Sequence, residues 1–296
     1  TKEKEVSDFF EHLFPANTHD YLMFFTNSGR VYVERVHEIP DLGRASKGRS
    51  IANVLELKHN EKIADVIRVQ AVYGEKKEDL TWQQDRCIFF TTRSGTVKKT
   101  ALNDFANVRR GGIIAIKIVP GDTLIETRFT TGHDDVILVT ADGQSIRFHE
   151  DGVRTMGRAA AGVRGIRLGK DDHVVALSIV SVDATLLVAG ENGIGKRTVF
   201  DGYRVQSRGG KGIKTMKITK KTGKVIGGLT VHNGDEIMLI TVGGQMVRTA
   251  VDGIRLTGRN TQGVRLVNVD DKDRLQDIAP VVSAEQAVES DAEEAS

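Results

Sequence analysis

Short apolar runs recur along the chain, and a tight turn centred on glycine follows each of them. The runs are too short for helices and rich in β-branched and aromatic residues, which predicts strands buried on both faces. They are Leu22–Phe25, Ile88–Phe90, Val136–Val139, Leu186–Val188 and Ile237–Ile240. The turn glycines are Gly29, Gly95, Gly143, Gly193 and Gly244. Because glycine supplies the positive φ that a two-residue hairpin needs, each run is predicted to open a β-hairpin.

A second glycine follows each hairpin, at a corner that is also marked by arginine. The corner glycines are Gly48, Gly112, Gly162, Gly212 and Gly263. Apolar and polar residues alternate after these corners, which predicts a further strand with one buried face. The turn glycines lie 66, 48, 50 and 51 residues apart, and a polar insertion near residues 74–86, predicted to be a loop, accounts for the long first spacing.

The repeat predicts an all-β protein with about four strands in each unit and no helix. Such units bury their apolar faces only against their neighbours, which favours blades arranged radially with short, protected sheet edges. Residues 6–18 resemble the end of a further unit whose beginning is missing. A β-solenoid is the alternative, although its coils usually repeat at shorter periods.

Charge divides the chain into two parts. The net charge of +2 consists of −5 on residues 283–296 and +7 on residues 1–282. We therefore predict a β-domain over 1–282 that binds a polyanion, and an acidic, disordered tail over 283–296 that competes for the same surface. A tail that only aids solubility is the alternative.

The remaining composition indicates where the protein works. The single cysteine, Cys87, fits a reducing cytoplasm, and no apolar run is long enough to cross a membrane. The first residue is Thr1 and not methionine, so we expect a part of a longer protein.

Basic residues keep the period of the glycines. They stand four residues after the turn glycine (Lys99, Arg147, Arg197, Arg248), four before the corner glycine (Arg44, Arg158, Arg208, Arg259), and in the shortened corner (Arg109, Arg110). Equivalent positions lie at similar places on successive blades, so we predict a basic belt that bends duplex DNA through phosphate contacts. The alternatives are that corner arginines bond loop carbonyls and that strand cations protect sheet edges.

The most glycine-rich corner is Gln206–Gly212, where Arg208 and Lys211 supply charge and the glycines let a phosphate approach the backbone. With Ser94–Thr100, Gly162–Leu168 and Gly258–Gly263, it makes the chain resemble the C-terminal domain of the DNA gyrase A subunit over about residues 7–281. The heptapeptide is close to the GyrA box of that family, with Ser207 in place of arginine. The family's main box lies in the first blade, whereas this heptapeptide lies in a later one. It is therefore either the principal box of this chain or an auxiliary box.

The resemblance implies a six-bladed β-pinwheel, a propeller-like disc whose blades exchange strands, with the first blade incomplete in this chain. It implies a non-catalytic domain that wraps duplex DNA around a basic rim and enables negative supercoiling by the holoenzyme. The expected partners are duplex DNA, the N-terminal cleavage core of the same polypeptide and the gyrase B subunit, in the bacterial cytoplasm at the nucleoid. ATP and Mg²⁺ are expected elsewhere in the holoenzyme, with no cofactor in this domain.

Two alternatives stay open at this point. One is the C-terminal domain of the topoisomerase IV A subunit, and the other is a propeller-like scaffold for protein interactions. Gly190–Lys196 matches the start of a phosphate-binding loop, but Arg197 stands where Ser or Thr is needed, so we interpret it as a hairpin turn. The His and Asp pairs near residues 133–135 and 171–173 lie in turns, and we expect no metal site there.

The basic belt and the glycine-rich corner together define the candidate DNA contacts. They are Arg44, Lys47, Arg49, Lys98, Lys99, Arg109, Arg110, Arg147, Arg158, Lys196, Arg197, Gln206, Arg208, Gly209, Gly210, Lys211, Gly212, Arg248 and Arg259.

Overall fold

The computed structural model describes residues 16–40, 50–70, 72–73, 80–81, 86–270 and 272–281. Regular structure in this part of the chain consists of β-strands and short 3-10 turns. In chain order the strands are β1 (Tyr21–Thr26), β2 (Arg30–Arg35), β3 (Ile63–Val69), β4 (Val72–Tyr73), β5 (Leu80–Thr81), β6 (Cys87–Thr92), β7 (Thr96–Ala101), β8 (Ile113–Ile114), β9 (Leu124–Thr130), β10 (Asp135–Thr140), β11 (Gln144–His149), β12 (Val163–Arg164), β13 (Val174–Ile179), β14 (Thr185–Gly190), β15 (Ile194–Val199), β16 (Ile213–Lys214), β17 (Val225–Val231), β18 (Glu236–Thr241), β19 (Met246–Ala250), β20 (Val264–Arg265) and β21 (Leu275–Val281). No helix among the described residues is long and apolar enough to cross a membrane.

Each of the first four blades is an antiparallel sheet of four strands. From the inner to the outer edge the sheets are β3-β1-β2-β8, β9-β6-β7-β12, β13-β10-β11-β16 and β17-β14-β15-β20. The outer strand always comes from the repeat that follows in sequence, so we call it the donated strand. The fifth blade has three described strands, β21-β18-β19. Strand exchange of the kind implied by the resemblance therefore joins each of the first four blades to the next repeat.

The expectation of six blades is wrong for the described chain, which forms five. Each blade is built on one hairpin, and the chain supplies one hairpin for each of its five turn glycines. The first blade is a full sheet of four strands. The incomplete blade is expected on residues 6–18, of which residues 6–15 lie outside the described residues, as does the acidic tail.

The polar insertion is not only a loop, because its residues Leu80–Thr81 (β5) pair with β4, which directly precedes it. Residues 74–79 and 82–85 of the insertion lie outside the described residues.

The hairpins form where the sequence predicts them. All five turn glycines have positive φ, between +74° and +85°. The corner glycines are required both for their positive φ and for lack of space, and Gly212 illustrates the two requirements. Its φ is +72°, and a Cβ atom added there would lie 2.2 Å from the carbonyl oxygen of Ser145. Only glycine lets the chain approach the second strand of the preceding blade so closely before it becomes the donated strand.

The hydrophobic core lies between the blades. Ile88 and Phe90 of β6 pack against the first blade, where Phe90 meets Phe25 edge to face at a centroid distance of 5.5 Å. Phe89, between them in sequence, packs against Phe148 of the third blade. Successive side chains of a strand point to opposite faces, so a strand between two blades is apolar on both. This packing explains the continuous apolar runs.

A polar network joins three blades at the centre of the disc. The guanidinium of Arg128 on β9 contacts both Asp65 of the first blade, at 3.1 Å, and Glu126 of its own strand. Glu126 in turn accepts the backbone N–H of Leu177 in the third blade at 2.5 Å. Burial raises the pKa of Glu126 to about 7, and the charge of Arg128 opposes this rise.

Candidate nucleic-acid interface

Five of the candidate cations lie between blades and not on the rim. Lys98, Lys99, Lys196 and Arg197 are buried, and Arg147 is half-buried. We call these five residues the seam cations. They occupy the second strand of their blades, which the donated strand covers on its outer side. The burial of the first four leaves them little or no surface for a bound duplex, and the half-buried Arg147 is held by Asp135 at 2.7 Å.

Three seam cations bond the 3-10 turn of the next blade or the residue that directly follows it. These turns follow the second strand at Glu150–Gly152, Phe200–Gly202 and Val251–Gly253. The contacts are Lys99 Nζ to Glu150 Oε2 at 3.2 Å, Arg147 Nη1 to the carbonyl of Phe200 at 3.0 Å, and Arg197 Nε to the carbonyl of Ile254 at 2.9 Å. Lys99 Nζ also donates to the carbonyl of Glu150 at 3.3 Å. All three strand cations thus bond loop carbonyls, a role that the sequence suggested for the corner arginines and not for the strand cations.

The other two seam cations, Lys98 and Lys196, hold corner loops. Each ammonium donates to backbone carbonyls of a corner in the next repeat. Burial lowers the pKa of both lysines to about 8, because the charged form is less well solvated inside the protein than in water.

The corner arginines lie on the perimeter, where they are half-buried. Arg208 donates from Nε to the carbonyl of Gly152 at 2.6 Å and from Nη1 to the carbonyl of Arg164 at 3.1 Å. Arg259 donates to the carbonyl of Lys214 at 3.0 Å in the same way. Each of these guanidinium groups is thereby fixed against the donated strand of the preceding repeat.

Backbone hydrogen bonds attach each corner loop to that donated strand. In the glycine-rich corner, the N–H of Gly209 donates to Gly165 at 2.6 Å, and the carbonyl of Gly210 accepts from Arg167 at 2.8 Å. The backbone N–H groups of Gly210 and Lys211 donate to no acceptor among the described residues. Lys211 is exposed, so this corner presents a free ammonium group beside two free backbone donors.

The perimeter also carries exposed basic residues that the sequence analysis missed. They stand eight residues before the corner glycine (Arg154, Arg204, Arg255), two after it (Arg164, Lys214, Arg265) and five after it (Lys117, Arg167, Lys217), and all are exposed. The same period that revealed the corner arginines would have revealed them. In the alternating residues after each corner, the apolar positions predict the buried face of a strand, and the polar positions between them carry these cations.

The remaining candidates are placed as follows. Gln206 is half-buried in the glycine-rich corner, and Arg109 and Arg110 are exposed at the shortened corner. Arg248 is exposed and pairs with Glu236 of its own blade. Arg44, Lys47 and Arg49 lie outside the described residues.

The exposed and half-buried cations of the corners and donated strands form one surface, which we call the perimeter belt. Its members are Arg109, Arg110, Lys117, Arg154, Arg158, Arg164, Arg167, Arg204, Arg208, Lys211, Lys214, Lys217, Arg255, Arg259 and Arg265. Corner loop and donated strand alternate along it, joined by backbone bonds such as Lys117 to Ala160 and Lys217 to Thr261. The belt is therefore a track of corner loops and donated strands with positive charge at recurring repeat positions.

The segment Gly190–Lys196, which matches the start of a phosphate-binding loop in sequence, contains the hairpin turn between β14 and β15, as its place in the repeat predicts. Gly193 has a φ of +74° there. Lys196, which would face the phosphates in a nucleotide site, is instead buried against the corner of the fifth repeat. Among the residues that the structure describes, no group of three or more His, Cys, Asp or Glu side chains is placed to hold a metal ion.

Comparison with known proteins gives a consistent family. The profile described as "DNA gyrase C-terminal domain, beta-propeller" matches residues 20–70, 88–129, 134–181, 184–232 and 235–281, one segment for each blade. The DNA gyrase A subunit of Mycolicibacterium smegmatis is 41% identical over 285 residues, and that of Salmonella typhimurium is 42% identical over 282 residues. These alignments cover 96% and 94% of this chain. The chain spans only about a third of the relatives' lengths, 33% and 31%.

Two solved structures share the fold at a similar level. One, described as "Structure of DNA gyrase A C-terminal domain", has a TM-score of 0.76 and 28% sequence identity, over 90% of this chain and 84% of that one. The other, described as "Crystal structure of the C-terminal domain of DNA topoisomerase IV", has a TM-score of 0.80 and 26% identity, over 95% of this chain and 84% of that one.

Proposed function

The chain belongs to the DNA gyrase C-terminal domain family, and from that membership we propose that it binds duplex DNA on its perimeter belt and wraps the duplex around the disc. The observation that carries this proposal is the belt itself. Cations recur at the same repeat positions on successive blades, and backbone bonds join corner and donated strand into one track.

A belt of this kind suits phosphates better than bases. Arginine, lysine and free backbone N–H groups are the usual donors to phosphate oxygens, and such contacts position DNA without reading its sequence. The large apolar side chains exposed in the described part of the chain are Ile, Val, Leu and Met, with no aromatic ring among them. Single strands are usually held by stacking on exposed aromatic rings, so the described surface favours a duplex.

Wrapping follows from the geometry of a charged, curved edge. Successive blades turn the track around the disc axis, so a duplex that keeps its phosphates on the belt must bend. The cost of bending is offset by the additional contacts that the bend permits, as in other proteins that bind DNA through its backbone.

In the whole protein we propose that this wrapping serves ATP-dependent negative supercoiling by a type IIA topoisomerase. The N-terminal cleavage core and the gyrase B subunit would supply DNA cleavage and the use of ATP and Mg²⁺. The domain itself would act in the bacterial cytoplasm, without a cofactor, by presenting a wrapped segment to the core.

The test is the salt dependence of duplex affinity in the chain and in two matched triple variants. The belt variant is Arg164→Ala, Lys214→Ala and Arg265→Ala. The control variant, Lys170→Ala, Lys220→Ala and Lys221→Ala, removes the same charge from exposed loops at the hairpin-turn end of the disc. Affinity for a duplex of about 40 base pairs is measured between about 50 and 200 mM salt.

We expect the affinity of the unaltered chain to fall steeply with salt. The belt variant should bind about 10 to 100 times more weakly and show a slope smaller by about two to three, because each lost phosphate contact releases about one counterion fewer. The control variant should keep most of its affinity and its slope. A flat salt dependence, or equal losses in the two variants, would overturn the proposal.

A wrapping domain of topoisomerase IV is the second candidate, favoured by the TM-score of 0.80 to such a domain. The relatives of 41–42% identity are gyrase A subunits, which favours gyrase. A domain exchange in a gyrase A subunit decides between the two candidates. The chain replaces the C-terminal domain of a gyrase A subunit, and negative supercoiling should be retained. Relaxation without supercoiling would favour the topoisomerase IV role.

A further inference from the structure

Lys98 has an unusual position for a lysine. It stands on β7, three residues after the turn glycine Gly95, and its side chain is fully buried. Its ammonium donates to the carbonyl of Ala115 at 2.5 Å and to that of Arg158 at 2.6 Å. No described carboxylate forms an ion pair with it. Arg158 is the corner arginine of the third repeat, so the lysine of one blade holds the corner of the next repeat.

Lys196 repeats this arrangement two blades further on. It stands three residues after the turn glycine Gly193, is fully buried, and donates to the carbonyl of Gly258 at 2.7 Å, to that of Arg259 and to Thr261 Oγ1 at 3.1 Å. Arg259 is the corner arginine of the fifth repeat. Lys196 thus makes all three of these bonds to a corner that presents an arginine to the perimeter belt, and Lys98 makes one of its two bonds to such a corner.

The blade itself does not require a lysine at this position. The equivalent residue of the third blade is Ile146, and that of the fifth blade is Val247. No described corner packs against the outer edge of the fifth blade. Ile146 faces the glycine-rich corner, where a Cβ atom on Gly210 would lie 3.6 Å from its Cδ1. That corner is fixed through Arg208 and the backbone instead.

The lysines thus occur where the corner lacks paired glycines. The corner of the third repeat reads Arg158–Ala161, with three alanines, and that of the fifth reads Arg259–Gln262. Burying an ammonium group costs free energy unless its N–H groups find partners, so the chain would not keep the charge twice for packing alone. In the first blade a different cation, the half-buried Arg30 one residue after the turn glycine, holds a corner that does have paired glycines, donating to the carbonyls of Gly111 and Gly112 at 2.6 and 2.7 Å.

We propose that Lys98 and Lys196 are positioning residues, which hold the corners of the third and fifth repeats closed and thereby present Arg158 and Arg259 to DNA. The second half of this statement rests on the proposed function. The first half concerns the free protein alone, so the two can fail separately.

The experiment compares Lys98→Met and Lys196→Met with the unaltered chain. Methionine keeps most of the buried stem and removes the donor. Limited trypsin digestion under native conditions reports opening of each corner, since trypsin cuts after Arg158 and Arg259, and mass spectrometry quantifies both cuts. When opening and closing are fast, the cleavage rate follows the population of the open loop. Affinity for a 40-base-pair duplex is measured on the same samples.

Each variant is the control for the other. Lys98→Met should be cut about tenfold faster after Arg158, the effect of losing one buried donor, with cleavage after Arg259 within about twofold of the unaltered chain. Lys196→Met should show the reverse pattern. Duplex affinity should fall about threefold to tenfold in both, whereas Ile146→Met, at the equivalent position without a lysine, should change neither readout.

Other results overturn the proposal in distinguishable ways. Equal acceleration at both corners in either variant would mean a general loss of stability, and unchanged cleavage would mean that the lysines hold nothing. Selective cleavage with unchanged affinity would restrict them to a role in the fold and overturn the presentation of the arginines. If the unaltered chain shows no salt-dependent duplex binding, the proposed function fails while the corner-holding role is still decided by trypsin.

A measurement on the unaltered chain covers the case in which a methionine variant does not fold. Lysine ammonium protons that are buried and hydrogen-bonded exchange slowly enough with water to give side-chain ¹H–¹⁵N signals. Beside a signal from Lys99, which is also buried and hydrogen-bonded, we expect signals assigned to Lys98 and Lys196 and present without DNA. Their absence would contradict the closed corners in solution.

Discussion

Two sets of cations keep the same period in this molecule, and they do different work. The seam cations lie on the second strands of the second, third and fourth blades, buried or half-buried beside the donated strand, and bond the turns and corners of the next repeat. The perimeter belt lies on the corners and donated strands, where its side chains are exposed or half-buried. Spacing alone does not separate the two sets, whereas their surroundings do.

The difference shows that a repeat of positive charge is not by itself a binding surface. Lys99 pairs its charge with Glu150, a carboxylate with no exposed surface, while Lys217 on the belt faces solvent. A cation in the seam contributes to the free energy of folding, and a cation on the belt is available to a phosphate. The predictions below test that separation, beginning with the largest expected effect.

Removing a seam cation should destabilise the fold strongly. Lys99→Met leaves the buried carboxylate of Glu150 with only the backbone donors of Gly132 and Asp134, which lie at 2.8 and 2.9 Å. We expect the free energy of unfolding to fall by about 3 to 5 kcal/mol, as for other buried ion pairs that lose one partner. Urea unfolding measures this loss. The belt control Lys217→Met should stay within about 0.5 kcal/mol of the unaltered chain.

A defined outcome for Lys99→Met would contradict this prediction. If Lys99→Met keeps its stability but loses duplex affinity, the seam cation contacts DNA and the separation of the two sets is wrong.

The central network should make stability depend on pH. Because the pKa of Glu126 is raised to about 7 in the folded protein, its contribution to stability is full below its ordinary value and is lost as the pH rises through 7. Arg128, Asp65 and Asp277 are the charged groups that act on it. Relative to Glu126→Gln, the unaltered chain should lose on the order of 1 to 3 kcal/mol between pH 5 and 8. Parallel pH profiles of the two proteins would contradict the raised pKa.

Arg208 should affect both stability and binding, because it belongs to the belt and also fixes its own corner. Arg208→Met removes the donors to the carbonyls of Gly152 and Arg164. We expect a loss of about 1 to 2 kcal/mol in the free energy of unfolding, together with weaker duplex binding. Thermal unfolding and a binding titration on the same preparation measure the two effects. If only stability falls, Arg208 acts in the fold alone, and if only duplex affinity falls, it acts in the perimeter belt alone.

Lys211 should affect binding alone. Its side chain is exposed in the glycine-rich corner and bonds to none of the described residues. Lys211→Met should leave the free energy of unfolding within about 0.5 kcal/mol while duplex affinity falls about threefold to tenfold and the salt slope drops by about one. Salt titrations of the variant beside Arg208→Met provide the comparison. An unchanged slope would remove Lys211 from the phosphate contacts.

Local sequence chemistry predicted the hairpins because their determinants are local. A glycine with positive φ and a short apolar run before it are enough to define each turn, as Gly95 after Ile88–Phe90 illustrates. The all-β, propeller-like fold followed from the repeat for the same reason. The number of blades did not, because six came from the resemblance and the described chain supplies hairpins for five.

The burial of Lys98 and Lys196 could not be predicted from the strand that carries them. A lysine after a hairpin turn is typical of an exposed sheet edge. Here the edge is covered by a donated strand whose sequence lies more than 60 residues away, as the pairing of Val97 with Val163 shows. That non-local pairing turns an edge strand into an interior one, and it decides whether a cation faces water or a backbone carbonyl.

The central claim, that the perimeter belt wraps duplex DNA, is tested most directly by DNA topology. A relaxed circular DNA is nicked, bound to the chain, ligated and freed of protein, and its linking number is compared with that of the same DNA ligated without protein. We predict a shift towards positive linking numbers that grows with the amount of protein bound, and that the belt variant with Arg164, Lys214 and Arg265 changed to Ala loses. An unchanged linking number under conditions where the chain binds the duplex would contradict wrapping.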